Sequence, residues 1–220
     1  MSLAPETNVK TIVEQGYDAI APAYLAWSAP RPTTTRMAYI DKLSGVLQPG
    51  AAVLELGCGA GVPGTQKLVS YGLKVTGVDI SAAQVALGRE HVPEATFIQG
   101  DMMALDFEAG QFDAIVAFYS VFHLPKEEHG SMLQRMAGWL RDGGILLFNL
   151  GTDEGEHLID NWMGAKMFSS SLGVDGNRKM LAEFGKGLII EDEIHVEKVG
   201  RFDEKFHWVW AVKESQKVSS

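Results

Sequence analysis

Between Ala51 and Gly151 short apolar runs alternate with segments of helical period, and no other feature of the chain narrows its fold as much. "AAVLEL" (Ala51–Leu56) reads as a buried strand, and "GTQKLVSYG" (Gly64–Gly72) as a helix stopped by Gly72. "KVTGVDI" (Lys74–Ile80) is a strand, and "SAAQVALGRE" (Ser81–Glu90) a helix that Ser81 is placed to cap. "ATFIQG" and the start of "FDAIVAFYSVFHL" (Phe112–Leu124) are strands. Pro125 suits the first turn of "PKEEHGSMLQRMAGWL", where Met132, Leu133, Met136 and Leu140 recur at helical spacing. "GGILLFNLG" is a further strand. Strands separated by helices pair through crossovers, which implies a parallel sheet covered on both faces. The end of the chain breaks the rhythm. "LIIEDEIHVEK" (Leu188–Lys198) and "KFHWVWAVK" (Lys205–Lys213), joined by a short turn around Gly200, suit an antiparallel hairpin at one sheet edge.

A chain of 220 residues can bury one full core, and 46% hydrophobic with 21% charged residues is ordinary for a globular protein. The formal net charge of -9 disfavours nucleic acid and acidic membrane surfaces and points to a small or neutral substrate. Cys58 is the only cysteine, which excludes an intramolecular disulfide. With no signal-peptide pattern at the N-terminus, the expected location is intracellular, in the cytoplasm. No apolar run approaches the ~20 residues that span a bilayer.

The first strand runs into "VLELGCGAGVPG" (Val53–Gly64). In an open parallel sheet, ligands bind beyond the carboxyl ends of the strands, where such a loop exposes bare backbone and a helix N-terminus. Gly59, Gly61 and Gly64 satisfy G-x-G-x-x-G, a spacing a nicotinamide-dependent oxidoreductase also uses. Three features count against a dinucleotide. Glu55 would repel a pyrophosphate, Pro63 removes an N–H, and "QGDM" (Gln99–Met102) puts a further acid, Asp101, at a strand end. With Asp79 ending the second strand, three acids at neighbouring strand ends suit a cationic ligand that carries a ribose and an amino group.

The pieces "VLELGCGAG", "VTGVDIS", "FIQGDM", "FDAIVAFYSVFHL" and "LRDGGILLFN", in this order, resemble the class I S-adenosylmethionine-dependent methyltransferases. The resemblance implies a three-layer Rossmann-like α/β fold with strand order 3-2-1-4-5-7-6, the last strand antiparallel, and an N-terminal helical lid. It implies one domain over residues 1–220: a helical cap (1–48), a cofactor-binding core (49–150), a cap insertion and helix (151–187) and the terminal hairpin (188–213). It also implies S-adenosyl-L-methionine as cofactor, S-adenosyl-L-homocysteine as product and a small-molecule methyl acceptor. Gly57, Gly59 and Gly61 would pass under the methionine part, with Cys58 a small filler and Glu55 orienting the loop. Asp79 would hold the ribose hydroxyls and Ile80 flank the adenine. At the third strand end Gly100, Asp101 and Met102 would meet the adenine ring. Phe118 and Tyr119 would lie beside the sulfonium.

Tyr17, Tyr24 and Trp27, spaced by seven and three residues, share a helical face, either as a core helix or as a lid over the cofactor. The segment Gly151–Gly185 exceeds an ordinary connection; "NRKMLAEFG" within it reads as a helix, and Trp162, Met163, Met167 and Phe168 crowd the rest. Trp27, Trp162, Met167 and Phe168 are candidate substrate contacts. His123, after the fourth strand, is the candidate general base, with an ordinary pKa near 6.5 and Tyr119 in reserve. Of the other histidines, His129 is expected on an exposed helix face, His195 and His207 facing solvent, and His91 and His157 isolated. No Cys/His cluster has metal-ligand spacing, so no metal is expected. "EDEIHVEK" reads as a solvated strand face, and the G-x-S-x-G elbow of a hydrolase is absent. The expected protein is a monomer or homodimer, and the alternatives left open are a nicotinamide-dependent oxidoreductase and a non-catalytic methyltransferase-like binding domain.

Overall fold

A computed structural model describes residues 8–30, 34–199 and 202–215. Two helices, α1 (Val9–Ser28) and α2 (Thr34–Ser44), lead into the alternating core. The core runs β1 (Ala52–Leu56), α3 (Gly64–Ser70), β2 (Lys74–Asp79), α4 (Ala82–His91), β3 (Thr96–Gln99), β4 (Phe112–Ala117), α5 (His129–Trp139) and β5 (Leu140–Gly151). A hairpin, β6 (Gly155–Trp162) with β7 (Ala165–Ser171), precedes α6 (Gly173–Phe184) and the closing pair β8 (Leu188–Val199) and β9 (Phe202–Lys213).

Seven strands form one sheet in the order β3-β2-β1-β4-β5-β9-β8. β1 to β5 are parallel, and β9 enters antiparallel to both β5 and β8. Allowing for the two strands of the inserted hairpin, this is the expected topology, with the seventh sheet strand reversed. The period of two in the strands sorts their side chains between two cores. Leu54, Leu56, Ile115, Leu146 and Phe148 pack under α5 and α6, against Met132, Leu133, Met136 and Leu181. Val53, Val116, Leu147 and Trp208 face the other way, onto Ile40 and Leu43 of α2 and Leu68 of α3. Ser81 caps α4, its side chain accepting from the Gln84 N–H, as its place in the sequence implied.

The sequence reading missed β6 and β7. Outside its turn, β6 carries no buried side chain, so no apolar alternation marks it, whereas β7 buries Met167 and Phe168 against α1. The tip turns on Met163, held at φ 54, and Gly164, at φ 97. Three sequence expectations are corrected. His129 is buried, its Nε2 3.0 Å from Ser170 Oγ. His207 is fully buried, with Nε2 2.8 Å from Asp192 and Nδ1 3.3 Å from Asn177. The "EDEIHVEK" strand is not wholly solvated, because Glu197 turns inward beneath Tyr119 and Trp208. In each case a polar partner at long sequence separation makes burial tolerable, which local pattern cannot reveal. Gly200, where the last hairpin turn was expected, lies outside the described residues.

Candidate functional site

The site is built from the carboxyl ends of β1, β2, β3 and β4. After Leu56 the chain turns through three left-handed glycines: Gly57 (φ 71), Gly59 (φ 56) and Gly61 (φ 72). Their reasons for being glycine differ. A Cβ at Gly57 would stand 2.2 Å from Ser120 Cβ, because Ser120 donates from Oγ to the Leu56 carbonyl at 2.7 Å and closes the strands together. At Gly61 a Cβ would meet the Phe97 ring at 2.9 Å, and Gly61 does not line the cavity. Only at Gly59 would a Cβ find nearly open space, with Gln84 Oε1 at 3.7 Å.

Asp79 ties this loop to β2. Its Oδ2 accepts from the Gly59 N–H at 2.8 Å and its Oδ1 from the Ser81 N–H at 2.9 Å. Burial pushes its pKa up to about 6, against the pull of those backbone donors. A carboxylate offers about four acceptor directions, so it retains capacity for hydroxyl donors. Glu55 is buried and accepts from Thr65 Oγ1 at 2.5 Å; burial raises its pKa to about 7. Burial likewise drives the Cys58 pKa well up, which keeps its sulfur in the thiol form. At the end of β3, Asp101 accepts from the Met103 N–H at 2.9 Å and pairs with Lys10 of α1 at 3.0 Å. Lys10 also pairs with Glu128 at 2.7 Å.

α1 is docked over these ends. Asp18 accepts from Ser81 Oγ at 2.6 Å and from the Ala83 N–H at 3.0 Å, so the cap is pinned to the positive N-terminus of α4. Tyr17 and Tyr24 meet edge to face at 5.4 Å, Trp162 of the inserted hairpin lies 5.6 Å from Tyr17, and Trp27 stacks on Tyr24 at 5.8 Å. The aromatic face expected of "GYDAIAPAYLAW" is therefore packed against the inserted hairpin.

His123 stands behind Tyr17. Its Nδ1 lies 2.6 Å from the Phe168 carbonyl and its Nε2 2.9 Å from the Tyr17 hydroxyl. A carbonyl only accepts, so Nδ1 carries the proton and Nε2 accepts from Tyr17. Burial lowers the His123 pKa to about 4, which corrects the expected value near 6.5. Tyr119 follows β4 at φ 55, a strained conformation for a residue with a side chain. Its N–H donates to Asn149 Oδ1 at 2.7 Å and its hydroxyl to Glu197 Oε2 at 2.5 Å.

Two cavities result. The first is lined by Glu55, Gly57, Cys58, Gly59, Asp79, Ile80, Gly100, Asp101, Met102 and Phe118; of the expected cofactor residues only Gly61 stands outside it. The second lies between α1, the inserted hairpin and the start of β9, and takes in Trp27, Phe122, Trp162 and Met167. The Phe168 side chain, expected there, is wholly buried in the core against α1, and only its carbonyl serves the site. Tyr17, Tyr24, Ser28, Arg36, Tyr119 and His123 line both cavities and form the wall between them. Sequence reasoning missed Lys10, Asp18, Arg36 and Glu197, each of which acts across the fold from its neighbours in sequence. Among the described residues no group of acids, histidines or cysteines is placed to hold a metal, and no helix is long and apolar enough to cross a membrane.

A sheet of this order, with a glycine loop after its first strand and an acid ending its second, defines the Rossmann-like methyltransferase fold. Residues 53–144 match the methyltransferase domain family. The chain is 28% identical over 180 residues to the 27-O-demethylrifamycin SV methyltransferase of Amycolatopsis mediterranei (strain S699), covering 76% of this chain and 60% of that protein. It thus spans less than two thirds of the length of the curated relatives it matches. The 1,6-didemethyltoxoflavin-N1-methyltransferase of Burkholderia thailandensis, solved with bound 1,6-didemethyltoxoflavin and S-adenosylhomocysteine, shares the fold at TM-score 0.71 and 17% identity, over 98% of this chain and 93% of that one. The [4+2]-cyclase SpnF shares it at TM-score 0.68 and 19% identity, over 97% and 98%. Over residues 53–144, and in the order of its sheet strands, the chain is similar to the class I S-adenosylmethionine-dependent methyltransferases. The cyclase shows why activity is argued from the site and not from the fold.

Proposed function

We propose that this protein transfers a methyl group from S-adenosylmethionine to a small-molecule acceptor by in-line displacement. The observation that carries this reading is the shared wall. A cavity with acids at the ends of β1, β2 and β3 meets an aromatic cavity at Tyr17, Tyr119 and His123. The residues of the first cavity fit the cofactor: Gly59 leaves an open face, Asp79 has acceptor capacity for the ribose hydroxyls, and Asp101 offers a carboxylate at the end of β3 for the adenine amino group. Bound there, the cofactor supplies a methyl group already activated by a sulfonium. The protein's own work is to align the acceptor and keep the site dry. Tyr17, Tyr24, Trp27 and Trp162 do both, since they roof the junction with apolar rings.

An acceptor that bears a proton must lose it as the new bond forms. His123 is neutral at pH 7, and its Nε2 lone pair is aimed at the Tyr17 hydroxyl. The proton passes from the acceptor to the Tyr17 oxygen while the Tyr17 proton moves to Nε2, leaving an imidazolium held by Phe168. Tyr119 is committed to Glu197 and positions the wall. The substrate cavity is mixed in character, aromatic at α1 and the inserted hairpin and charged at Asp153, Lys198 and Glu204, which suits an aromatic or polycyclic acceptor with polar substituents. The test is methylation of a panel of phenols, thiols and amines with isotopically labelled cofactor, read by mass spectrometry. Acceptor-dependent label in product supports the reading. Cofactor binding without transfer to any member of the panel or of a metabolite extract would sink it.

A further inference from the structure

We propose that Lys10, jointly with Asp101, reads the N7 side of the cofactor's adenine ring, an inference that rests on the cofactor reading above. Asn8 caps α1, its Oδ1 accepting from the Lys10 N–H at 3.1 Å and the Thr11 N–H at 3.4 Å, which fixes where the first helical turn starts. Lys10, Val13 and Tyr17 then fall at helical spacing on one face, and all three line the first cavity. At about 1.5 Å per residue, the seven residues from Lys10 to Tyr17 rise roughly 10 Å. That face runs from the end of β3, where Lys10 meets Asp101, to the wall between the cavities, where Tyr17 meets His123. A nucleoside laid along it has its base at Lys10 and its 5′ substituent at Tyr17.

The polar groups at the base end leave a particular pair of bonds unmade. The Lys10 ammonium lies 3.0 Å from Asp101 Oδ2 and 2.7 Å from Glu128 Oε2, and its side chain is 20% exposed. Burial lowers its pKa and the hydrogen bonds to the two carboxylates more than restore it, so it stays charged. An ammonium has three N–H donors, and these two acceptors leave one. Asp101 takes the Met103 N–H on Oδ1 and Lys10 on Oδ2, two of about four acceptor directions. The pair therefore presents a spare acceptor and a spare donor side by side, among the apolar side chains of Val13, Ile80 and Met102. Adenine carries the complement, since its amino group donates and N7 beside it accepts. In DNA an amide side chain reads that same edge with one acceptor and one donor. Here two distant segments supply them, Asp101 from the end of β3 and Lys10 from the cap, so α1 contacts the base itself. Because the donor is charged, its bond to N7 is stronger than that of a neutral group.

Calorimetry tests this with three probes: S-adenosylhomocysteine and its 7-deaza and 1-deaza analogues, in each of which a C–H replaces one ring nitrogen. Each is titrated into the wild type and into Lys10→Met, with melting curves of the ligand-free proteins as the folding control. The wild type should bind the 7-deaza analogue about 10–100-fold more weakly than the parent, the range for a hydrogen bond to a charged group. In Lys10→Met the two should bind within about twofold of each other, whatever common change the unpairing of Asp101 brings. Should Lys10→Met fail to fold, Lys10→Gln, which keeps a donor but not the charge, should show a reduced preference for N7. A wild type that binds the parent and the 7-deaza analogue equally would overturn the inference, and a penalty confined to the 1-deaza analogue would overturn it in favour of N1. A preference for N7 that persists at full size in the variants would also overturn it, and would mean that Lys10 only fastens α1 to Asp101 and Glu128. A wild type that binds none of the probes would refute the cofactor reading itself.

Discussion

Replacing His123 with alanine tests the proposed chemistry and its structural setting in one protein. The imidazole makes two hydrogen bonds, to the Phe168 carbonyl at 2.6 Å and to the Tyr17 hydroxyl at 2.9 Å. Losing both, together with the space left by a buried ring, should cost about 3 kcal/mol at neutral pH. That deficit should depend on pH. His123 has a pKa of about 4 in the fold and ordinarily 6.5, so the unfolded chain binds its proton first as pH falls. The stability of a neutral buried histidine is complete above pH 6.5 and is lost as pH drops toward 4. The interval corresponds to about 3 kcal/mol at 1.36 kcal/mol per pKa unit. The wild type bears that loss and the alanine variant does not, so the gap between them should close as pH falls from 6.5 to 4. Urea titrations of both proteins across that range measure the difference, in which the titration of other groups largely cancels. In parallel, turnover of a protic acceptor at pH 7.5 should fall about 10²–10⁴-fold, the size of general-base catalysis, with S-adenosylhomocysteine affinity nearly unchanged. A pH-independent stability gap would refute the neutral buried imidazole. Turnover within a few-fold of wild type in the folded variant would refute its part in proton transfer.

Asp79→Ala should weaken S-adenosylhomocysteine binding by about 1.5–3 kcal/mol in calorimetry, since it removes an acceptor beside the open face of Gly59. Both Gly57→Ala and Gly59→Ala impose a side chain on positive φ, a strain of about 1 kcal/mol, but only at Gly57 does the new methyl collide with Ser120. Thermal melting should therefore show a far larger drop for Gly57→Ala, and equal drops would count against the packing described. Asp18→Ala removes the acceptor for Ser81 and the N-terminus of α4; it should lower stability by about 1–2 kcal/mol and raise hydrogen exchange in α1 selectively. Unchanged exchange in α1 would show that the cap is held by its aromatic contacts alone.

The sequence by itself determined the layered sheet and one side of the site. Alternating apolar strands and amphipathic helices imply a parallel sheet covered on both faces, whereas the order of its strands was implied by the resemblance and not by local pattern. The glycines, Glu55, Asp79 and Asp101 were legible because they lie at strand ends, which topology alone brings to one edge. What followed only from the tertiary structure is every contact between segments distant in the chain. Lys10 meets Asp101 and Tyr17 meets His123 because α1 folds back over the sheet; Glu197 reaches Tyr119 because the terminal hairpin lies beside β5. The helical repeat of α1 placed Tyr17 and Tyr24 on one face but could not say what that face covers. β6 was invisible because its exposed side chains carry no alternation, and the burial of His129, His207 and Glu197 was invisible because each depends on a partner many residues away. Local sequence encodes which backbone conformation a segment prefers. Whether a polar side chain is buried depends on whether another segment completes its hydrogen bonds, and that is decided only when the chain has closed on itself.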